Sequence, residues 1–534
     1  MKFSKMIDQV ISTNLQALSK PGVLSVRPGY QAARGWLTRK PAIVVTVDEK
    51  RDDLPAQDRL PETLGGYAVD VRQAGPLEKL RLLDPAKYAS MAAAIRPEMQ
   101  PPIFAFERDF SGTPLAPMSE ALESSRGAAK DEIDYAPPKG QPLSPVNAKF
   151  KITCHASPDA GWPTLGPFLA ATNKTLTVGM YDFTAAHILE AVKQLSVVPR
   201  RRGGKTVRTL NLVLDHPPLN KTHDQTDDET REELANAFGN NLRFAWALER
   251  NDPKVDTWIY PSAYHIKVAV RDSSAFWLSS GNFNNSNQPD IDPIKDLNAA
   301  EPYFKSCDRD WHVIVEHDGL AELFEAYLLN DLDVAEANQE APAGAQAMAA
   351  ALVESAVPDL MMTAKTPRQF FAPKVITDTM KIQPILTPDN YAPLILKLIQ
   401  SAKVSFYMQT QYITPSDKDG NEGFTALIQA IADKIKEGVD VRIILSQYET
   451  MAKLELLQEA GVDVPNVRIQ ANVHNKGMIV DSKVVALGSQ NWSGDGTLRN
   501  RDATLVIYNE EAARYWEQIF MHDWTEMASQ RALD

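Results

Sequence analysis

The alternation of apolar and polar positions follows the same order twice along the chain. Residues 174–184 (KTLTVGMYDFT) and 403–414 (KVSFYMQTQYIT) are short apolar runs rich in β-branched and aromatic residues, which is typical of buried strands. Each run leads to a stretch with helical spacing, HILEAVKQL or FTALIQAIADKIKEG, and then to a second strand-like run, VRTLNLVLDH or VDVRIILSQ. Strands that alternate with helices of this length favour βαβ units on a mixed or parallel sheet. The pattern therefore predicts an α/β fold in which two similar halves are related by a pseudo-two-fold axis.

The repeat suggests five segments. Residues 1–100 begin with a short amphipathic helix and continue with strand-like runs bounded by Gly, Pro and Asp, which predicts a small α+β module with a structural or regulatory role. Residues 101–148 are rich in Pro, Ala, Ser and Gly and predict a linker or an extended wrapping segment. Residues 149–335 and 366–534 form the two predicted halves, and a second linker covers 336–365.

Charge and cysteine content narrow the function classes. The 534 residues carry a formal net charge of -13, with a pI near 5.3, which disfavours sequence-independent nucleic-acid binding as the main activity. Two cysteines, Cys154 and Cys307, favour a reducing compartment, although one bridge between them stays open. The N-terminus lacks the apolar region of a secretory signal, and no window of roughly 18 apolar residues occurs, so we expect a cytoplasmic protein without a transmembrane segment.

The chemistry is carried by a motif that occurs twice, with the two copies 209 residues apart. Each copy reads His, one residue, Lys, four residues, Asp, six residues, a small residue, Ser, one residue and Asn. An Arg-Asp pair follows each copy further along the chain. The motif positions are His265, Lys267, Asp272, Ser280 and Asn282 with Asp310 beyond them, and His474, Lys476, Asp481, Ser489 and Asn491 with Asp502 beyond them.

These residue types suit the cleavage of a phosphodiester. Residues two apart in a strand point to the same face, so each His and Lys of the motif project together. The lysines, helped by Asn282 and Asn491 and by Ser280 and Ser489, can bind the phosphate and offset the charge that grows in the transition state. One histidine can attack phosphorus while the other protonates the leaving oxygen and later deprotonates water. The two roles are not distinguished by the residues themselves.

The aspartates of the two copies have different predicted tasks. Asp310 and Asp502 are expected to accept the second ring N–H of the histidines, which fixes the tautomer and the direction of the reactive nitrogen. Asp272 and Asp481 lie one strand length beyond the lysines. We expect them to be supporting residues that pair with neighbouring charges.

At these residues the chain resembles the phospholipase D superfamily, whose signature is this duplicated motif. The resemblance covers roughly residues 150–534. It implies a single active site at the interface of the two halves, a two-step mechanism through a phosphohistidine, and no metal or cofactor. It also implies that His265 is the nucleophile and His474 the acid/base. One departure is Ser279, where the family usually has Gly, and we expect this small change to be tolerated.

Four other features have open interpretations. The run PRRRGGKTVR, with Arg200 to Arg202, Lys205 and Arg208, can be a solvated turn or a contact for anionic phosphates. The aromatic residues Trp258, Tyr260 and Tyr264 can be core packing or the lining of an acyl or base pocket. The acidic stretch 223–234 favours a solvated helix start over a gate or a divalent-ion site, and His155 favours a structural role over a metal ligand.

Three function hypotheses follow. The first is a phosphodiesterase that hydrolyses phospholipid phosphodiesters, and could transfer them to another alcohol, with peripheral membrane contact. The second is a nuclease with the same two-histidine chemistry, for which nucleic acid is the partner. The third is a phosphate-binding module without turnover, which the complete motifs argue against. The acidic net charge and the single chain with both motifs favour the first hypothesis. The oligomeric state is not indicated.

Overall fold

The computed structural model describes residues 2–33, 36–51, 53–91, 99–104, 106–115, 135–196, 208–215, 224–252, 255–258, 260, 263–337, 364–367, 369–415 and 420–529. The predicted linker 336–365 and the arginine-rich run 199–208 lie almost wholly outside these residues. The division of the chain into five segments therefore stays a prediction.

The N-terminal region folds into a small α+β unit. Its sheet has the strand order β3-β4-β2-β1-β5, and apolar residues of α1 pack on it in a core of their own, with Ile7, Ile11 and Val45 fully buried. The last strand, β5, lies beyond residue 100. The elements are α1 (Lys2–Thr13), α2 (Leu15–Leu18), β1 (Val23–Ala33), β2 (Trp36–Val47), β3 (Thr63–Leu64), β4 (Tyr67–Gln73), α3 (Pro76–Leu83), α4 (Pro85–Met91) and β5 (Arg108–Asp109).

The first half begins with a long strand that runs into a cis Ser157–Pro158 bond. Strands and helices then alternate as the apolar pattern predicts. The elements are β6 (Val146–Ser157), α5 (Gly161–Ala170), β7 (Thr175–Met180), α6 (Ala186–Lys193), β8 (Thr209–Leu214), α7 (Asp227–Phe238), β9 (Leu242–Trp246), the hairpin β10 (Leu248–Asp252) and β11 (Val255–Trp258), β12 (Lys267–Arg271), β13 (Ala275–Ser279), α8 (Leu297–Ala300), β14 (Asp310–Glu316) and α9 (Asp318–Ala337).

The second half repeats this order without the hairpin. Its first strand ends at a cis Thr387–Pro388 bond, which matches the cis bond of the first half. The elements are β15 (Lys374–Thr387), α10 (Tyr391–Ser401), β16 (Ser405–Thr410), α11 (Glu422–Lys436), β17 (Asp440–Leu445), α12 (Met451–Glu459), β18 (Val467–Ile469), β19 (Lys476–Val480), β20 (Val484–Gly488), α13 (Gly494–Leu498), β21 (Asp502–Tyr508) and α14 (Glu510–His522).

One sheet of 14 strands joins the two halves. Its order is β18-β17-β16-β19-β20-β21-β15-β6-β14-β13-β12-β7-β8-β9, so the sequence of equivalent strands is the same when read from either edge. The central strands β6 and β15 are antiparallel, and Lys149 pairs with Thr379 at their middle. The pseudo-two-fold axis passes through this pair. The predicted fold class, two similar α/β halves with a mixed sheet and an N-terminal α+β module, is confirmed.

The junction of the halves is held by a shared core. Helices α9 and α14 cover one face of the sheet, and their apolar residues join those of β6, β14, β15 and β21 in one buried cluster. Trp311 of the first half faces Trp516 of the second, with ring centroids 6.1 Å apart. The two halves therefore share a core rather than meeting at a polar surface.

The N-terminal unit is docked on the second half through a buried carboxylate. Glu455 of α12 forms ion pairs with Arg27 at 2.6 Å and with Arg72 at 3.0 Å. It also accepts a hydrogen bond from the backbone N–H of Tyr30 at 2.9 Å. Both Glu455 and Arg27 are almost fully buried. This set of contacts fixes the module to one helix of the second half.

Candidate active site

The two motif histidines are each held by an aspartate from the other half. His265 Nδ1 lies 2.8 Å from Asp502 Oδ1, and His474 Nδ1 lies 3.1 Å from Asp310 Oδ1. Two short backbone bridges, Tyr264 with Arg501 and Arg309 with Val473, bring each His beside the opposite Arg-Asp pair. With Nδ1 occupied, Nε2 of each ring is the nitrogen left for chemistry. Each histidine ring is therefore oriented by an aspartate of the opposite half.

Close packing behind Asp310 fixes this cross-pairing. Trp311 lies on the backbone of Gly477, and a Cβ atom at residue 477 would fall 2.2 Å from the Trp311 ring. Gly477 is the residue that follows Lys476 in the second motif. A glycine here lets the strand after Asp310 approach the strand after His474.

Ser280 and Ser489 were predicted to bind phosphate, but in the structure they hold the aspartates. Ser280 Oγ donates to Asp310 Oδ1 and Ser489 Oγ donates to Asp502 Oδ1, both at 2.6 Å. Each hydroxyl also accepts a backbone N–H, from Trp311 at 3.0 Å and from Ala503 at 3.1 Å. Both serines are fully buried. Each serine follows the end of a strand and faces the neighbouring strand that carries the aspartate. Its hydroxyl therefore orients the aspartate of a His-Asp pair.

Lys267 and Lys476 lie beside the histidines, as predicted. Lys267 Nζ donates to the carbonyl of His265 at 2.6 Å, and Lys476 Nζ donates to the carbonyl of His474 and lies 3.1 Å from its Nε2. Lys267 is fully buried, and this burial lowers the pKa of its ammonium group well below the usual value. A phosphodiester anion in the site would offset that cost, because it supplies the missing negative charge.

Asn282 and Asn491 lie three residues beyond the ends of β13 and β20. Both amide oxygens are buried and have no hydrogen-bond partner among the described residues. A buried amide without a partner is costly unless a ligand or water completes it. An amide oxygen only accepts hydrogen bonds and cannot bond a phosphate oxygen, so the phosphate contact predicted from the sequence stays a prediction for the Nδ2 group of each amide.

The pKa values of the two histidines and the two aspartates are shifted in different directions in the free site. Burial lowers the pKa of His265 well below its usual value, and the nearby lysines add to this effect. Burial and Lys476 likewise lower the pKa of His474 to about 4. Burial raises the pKa of Asp502 to about 7, against the attraction of Lys267. Burial alone would raise the pKa of Asp310 too, but His474 and Lys476 outweigh it and hold the pKa at about 2. Asp310 is thus the more firmly ionised of the two aspartates.

In the part of the chain that the structure describes, Asp272 and Asp481 bond to backbone N–H groups and not to neighbouring charged side chains. This corrects the predicted charge pairing, although both remain supporting residues. Asp272 accepts the backbone N–H groups of residues 173–175 at 2.6–3.2 Å. Asp481 accepts those of residues 403–405 at 2.7–3.1 Å. Both aspartates have positive φ angles, 53° and 52°, in the tight turns after β12 and β19. They fasten the motif strand to the start of its neighbour.

The arginine of each Arg-Asp pair makes a buried ion pair across the junction, which sequence reasoning missed. Arg309 bonds Asp523 at 2.9 Å and also Asp159. Arg501 bonds Asp331 at 2.7 Å and Asp389 at 3.0 Å. The sequence did contain a signal for the partner within each half, because Asp159 and Asp389 end the repeated triplets Ser-Pro-Asp and Thr-Pro-Asp.

Ser279 has a specific partner rather than being merely tolerated. Its Oγ lies 2.6 Å from His312 Nδ1, while Ser157 Oγ lies 2.9 Å from His312 Nε2. In the second half, a Cβ atom on Gly488 would fall 1.8 Å from Thr504 Oγ1. In the first half the position equivalent to Thr504 is occupied by His312, which pairs with residue 279 across the strands. A serine at residue 279 therefore meets a hydrogen-bond partner.

The open features take structural roles where they are described. Tyr260 and Tyr264 are buried and donate to Asp331, at 2.6 and 3.2 Å, so they pack on Arg501 rather than lining a substrate pocket. Thr226 caps α7 with a reciprocal bond to Glu229, so the acidic stretch begins a helix. The side chain of Trp258 lies outside the described part.

Cys154 and Cys307 are both free and buried. His155 is buried with its ring centroid 4.8 Å from that of His312. Within the described ranges, no group of three or more His, Cys, Asp or Glu side chains is placed to hold a metal ion. None of the helices described there is long and apolar enough to cross a membrane.

Comparison with known proteins gives a family match in the second half and matches to individual relatives. Residues 395–524 match the family described as "Cardiolipin synthase, PLD-like domain". Cardiolipin synthase 2 of Staphylococcus epidermidis is 31% identical over 140 residues, 24% of this chain and 26% of the relative. Phospholipase D of Rickettsia conorii is 31% identical over 138 residues, 25% of this chain and 64% of the relative. The matched region thus spans about a quarter of the first relative and under two thirds of the second.

A solved structure is also similar. Phosphatidylserine synthase from Haemophilus influenzae Rd KW20 aligns with a TM-score of 0.45 and 14% identity, over 72% of this chain and 91% of that one. The matched residues 395–524 contain the whole second motif, and the first half repeats that motif with the same spacing. The matches therefore support the phospholipase D superfamily for this chain, with the family model itself placed on the second half.

Proposed function

We propose that this protein is a phosphodiesterase that cleaves phospholipid phosphodiesters through a phosphohistidine intermediate. The observation that carries the proposal is the crossed pairing of His265 with Asp502 and of His474 with Asp310. It supplies two oriented imidazoles, and Lys267 and Lys476 lie beside them. In-line displacement at phosphorus needs one group on each side of the phosphate, which two histidines of opposite halves can provide.

In the first step, Nε2 of His265 attacks phosphorus and the bond from phosphorus to the leaving oxygen breaks. His474 gives its proton to that oxygen, so the alcohol leaves neutral and a phosphohistidine remains. In the second step, His474 takes a proton from water, the water oxygen bonds to phosphorus and the P–N bond breaks. Replacing water by an alcohol in this step gives transfer instead of hydrolysis. Assigning His265 as nucleophile follows the superfamily resemblance.

The buried lysines and asparagines have a shared task in both steps. An ammonium group near a phosphate in a dry site stabilises charge far more than it would in water. Lys267 and Lys476 begin the strands β12 and β19, two residues after each histidine, so they would meet the non-bridging oxygens. The Nδ2 groups of Asn282 and Asn491 would add hydrogen-bond donors to the same oxygens.

The choice of lipid over nucleic acid rests on two supports. The net charge of -13 opposes binding to a polyanion. Relatives of the chain are named cardiolipin synthase and phospholipase D. The arginine-rich run that would favour a nuclease lies outside the described residues except for Arg208, whose guanidinium donates to the carbonyl of Leu195.

A side-by-side assay tests the substrate class. Phosphatidylcholine/phosphatidylglycerol vesicles, single-stranded DNA and double-stranded DNA are incubated with the protein at two salt concentrations. We expect release of a headgroup alcohol from vesicles and no release by the His474→Ala variant. Salt-sensitive DNA cleavage with inert vesicles would instead establish the nuclease, because phosphate contacts weaken steeply with salt.

Contact with a bilayer is proposed at the segment between Asn282 and Arg309. Its inner side chains pack together and against Phe370, in a small core formed by Ile291, Ala300, Phe304 and Cys307. Its outer side leaves Ile294, Leu297 and Tyr303 about half exposed, at 48%, 50% and 52%.

The segment is also tied to the second half close to His474, because Asn472 Nδ2 donates to the Lys305 carbonyl at 2.8 Å. Large exposed side chains on a segment bound to the site are suited to a lipid surface.

The variant Ile294→Ser/Leu297→Ser/Tyr303→Ser should lose vesicle activity about tenfold or more, because roughly 1 kcal/mol of apolar contact is removed per side chain. Activity on bis-p-nitrophenyl phosphate, which is soluble, should be unchanged. Val375 and Val404 are exposed elsewhere, at 57% and 71%, so Val375→Ser/Val404→Ser is the matched control. Equal loss on vesicles and on the soluble diester, or equal effects of both variants, would reject this surface.

A further inference from the structure

The loop after the first motif returns one buried side chain to the site. Asn287 follows Asn282 by five residues and precedes Asp310 by 23, and it is 1% exposed. Its backbone is fixed by Asn284, whose Oδ1 accepts the Asn287 N–H at 2.9 Å. A fully buried amide in a loop is uncommon unless its hydrogen bonds are used.

All described hydrogen bonds of the Asn287 amide go to residues of the site or their neighbours. Its Nδ2 donates to Asp310 Oδ2 at 2.9 Å and to Asp308 Oδ2 at 3.0 Å. Its Oδ1 accepts the backbone N–H of Asn282 at 2.9 Å. One side chain thus joins the turn that presents Asn282 to the carboxylate that orients His474.

The contact to Asp310 completes the set of bonds around that carboxylate. Oδ1 takes the bonds from Ser280 Oγ at 2.6 Å and His474 Nδ1 at 3.1 Å, which leaves Oδ2 for Asn287. Space is tight here, since a Cβ atom on Gly281 would fall 2.7 Å from Asp310 Oδ2 and 2.8 Å from Asn287 Cβ. The carboxylate therefore has one position, and Asn287 is part of what sets it.

We propose that Asn287 is a positioning residue for proton transfer, which holds Asp310 as an oriented carboxylate behind His474 and so suits His474 to carry the proton of the leaving alcohol. The inference rests on the proposed function and deepens it. A fixed carboxylate stabilises the imidazolium that forms when His474 holds a proton. A hydrogen bond to a charged acceptor contributes more than one between neutral groups, so its loss should be felt at the ring behind it.

The role predicts a dependence on the leaving alcohol. A poor leaving group needs a proton as its bond to phosphorus breaks, whereas p-nitrophenolate leaves without one. Two soluble short-chain lipids, phosphatidylcholine and phosphatidyl-p-nitrophenol, share the diacylglycerol part and carry a poor and a good leaving group, and each variant is compared with the wild type on the same lipid. The value of kcat/KM reports the steps up to release of the first alcohol, so it isolates the step in which His474 donates.

We expect Asn287→Leu, a substitution of similar size, to lower kcat/KM on phosphatidylcholine by roughly 10- to 100-fold and on phosphatidyl-p-nitrophenol only a few fold. His474→Ala should show the same dependence more strongly. The control is Asn211→Leu, since Asn211 is a buried strand residue that donates to Thr177 Oγ1 at 3.0 Å away from the motifs. Thermal unfolding of each variant is followed in parallel, and Asn287→Ala serves as a second variant with room for water.

Equal losses on the two lipids would make Asn287 a structural residue only and overturn the proposal. The same leaving-group dependence in Asn211→Leu would overturn it as well. A wild-type protein that cleaves neither lipid would overturn the proposed function itself, which is a different result from an active wild type with an unselective Asn287→Leu.

Discussion

Replacing either His265 or His474 by alanine should lower kcat by a factor of about 10^3 or more on any diester that the wild type cleaves. Each imidazole is oriented by an aspartate of the opposite half, so neither half retains a working pair when one ring is removed. The double variant should be no slower than the slower single variant, because the two residues act as one unit. The measurement is steady-state hydrolysis of bis-p-nitrophenyl phosphate by all three variants.

The control for this series is His317→Ala. His317 is only partly buried, and its Nδ1 accepts the Leu320 N–H at 3.1 Å at the start of α9, away from the motifs. It should keep near-normal activity. A single variant at residue 265 or 474 with near-normal turnover would contradict the shared site, and losses that simply multiply would contradict the single catalytic unit.

Removing the buried cation at residue 501 should give the largest loss of stability. Arg501 is fully buried between Asp331 of the first half and Asp389 of the second, and its guanidinium lies 4.6 Å from the Tyr260 ring centroid. Arg501→Met leaves the buried Asp331 and the partly buried Asp389 without this counter-charge, which costs about 3–5 kcal/mol. The midpoint of thermal unfolding should fall by roughly 3–5 °C, as followed by circular dichroism or calorimetry.

Arg514→Met is the matched control for this change. Arg514 pairs with Glu510 at 2.8 Å on the surface of α14, and both side chains are more than half exposed. Exposed pairs of this kind contribute about 0.5 kcal/mol or less. A similar shift for both variants would mean that the ion pair at residue 501 is no more important than a surface one.

The fold class and the motif residues could be predicted from the sequence, because both are repeated. Apolar periodicity identified the strands beside each motif, and the duplication implied the pseudo-two-fold axis seen at Lys149 and Thr379. The long central strands β6 and β15 carry less of this signal. β6 alternates polar and apolar residues, but β15 does so only in part, and the two pair with each other rather than with neighbours in sequence.

The partners of the site residues could not be predicted, because they come from the other half. Sequence spacing gives Asp310 and Asp502 as acceptors but not the crossed choice between them. Ser280 and Ser489 have the residue type of a phosphate ligand, and only the register of strands β13 and β14, and of β20 and β21, turns them toward the aspartates. Asn287 lies in the loop between Asn282 and Asp310 of the first copy, where no position of the internal repeat marks it.

The roles of the two histidines are open to one direct test. His474→Ala is mixed with bis-p-nitrophenyl phosphate labelled with ³²P, because p-nitrophenolate leaves without a proton and the variant lacks the group that activates water. We predict that a phosphoryl group accumulates on His265, acid-labile and stable to base, and that His265→Ala carries no label. Turnover by the wild type with no covalent label in His474→Ala, or a label on a residue other than His265, would contradict the two-histidine mechanism.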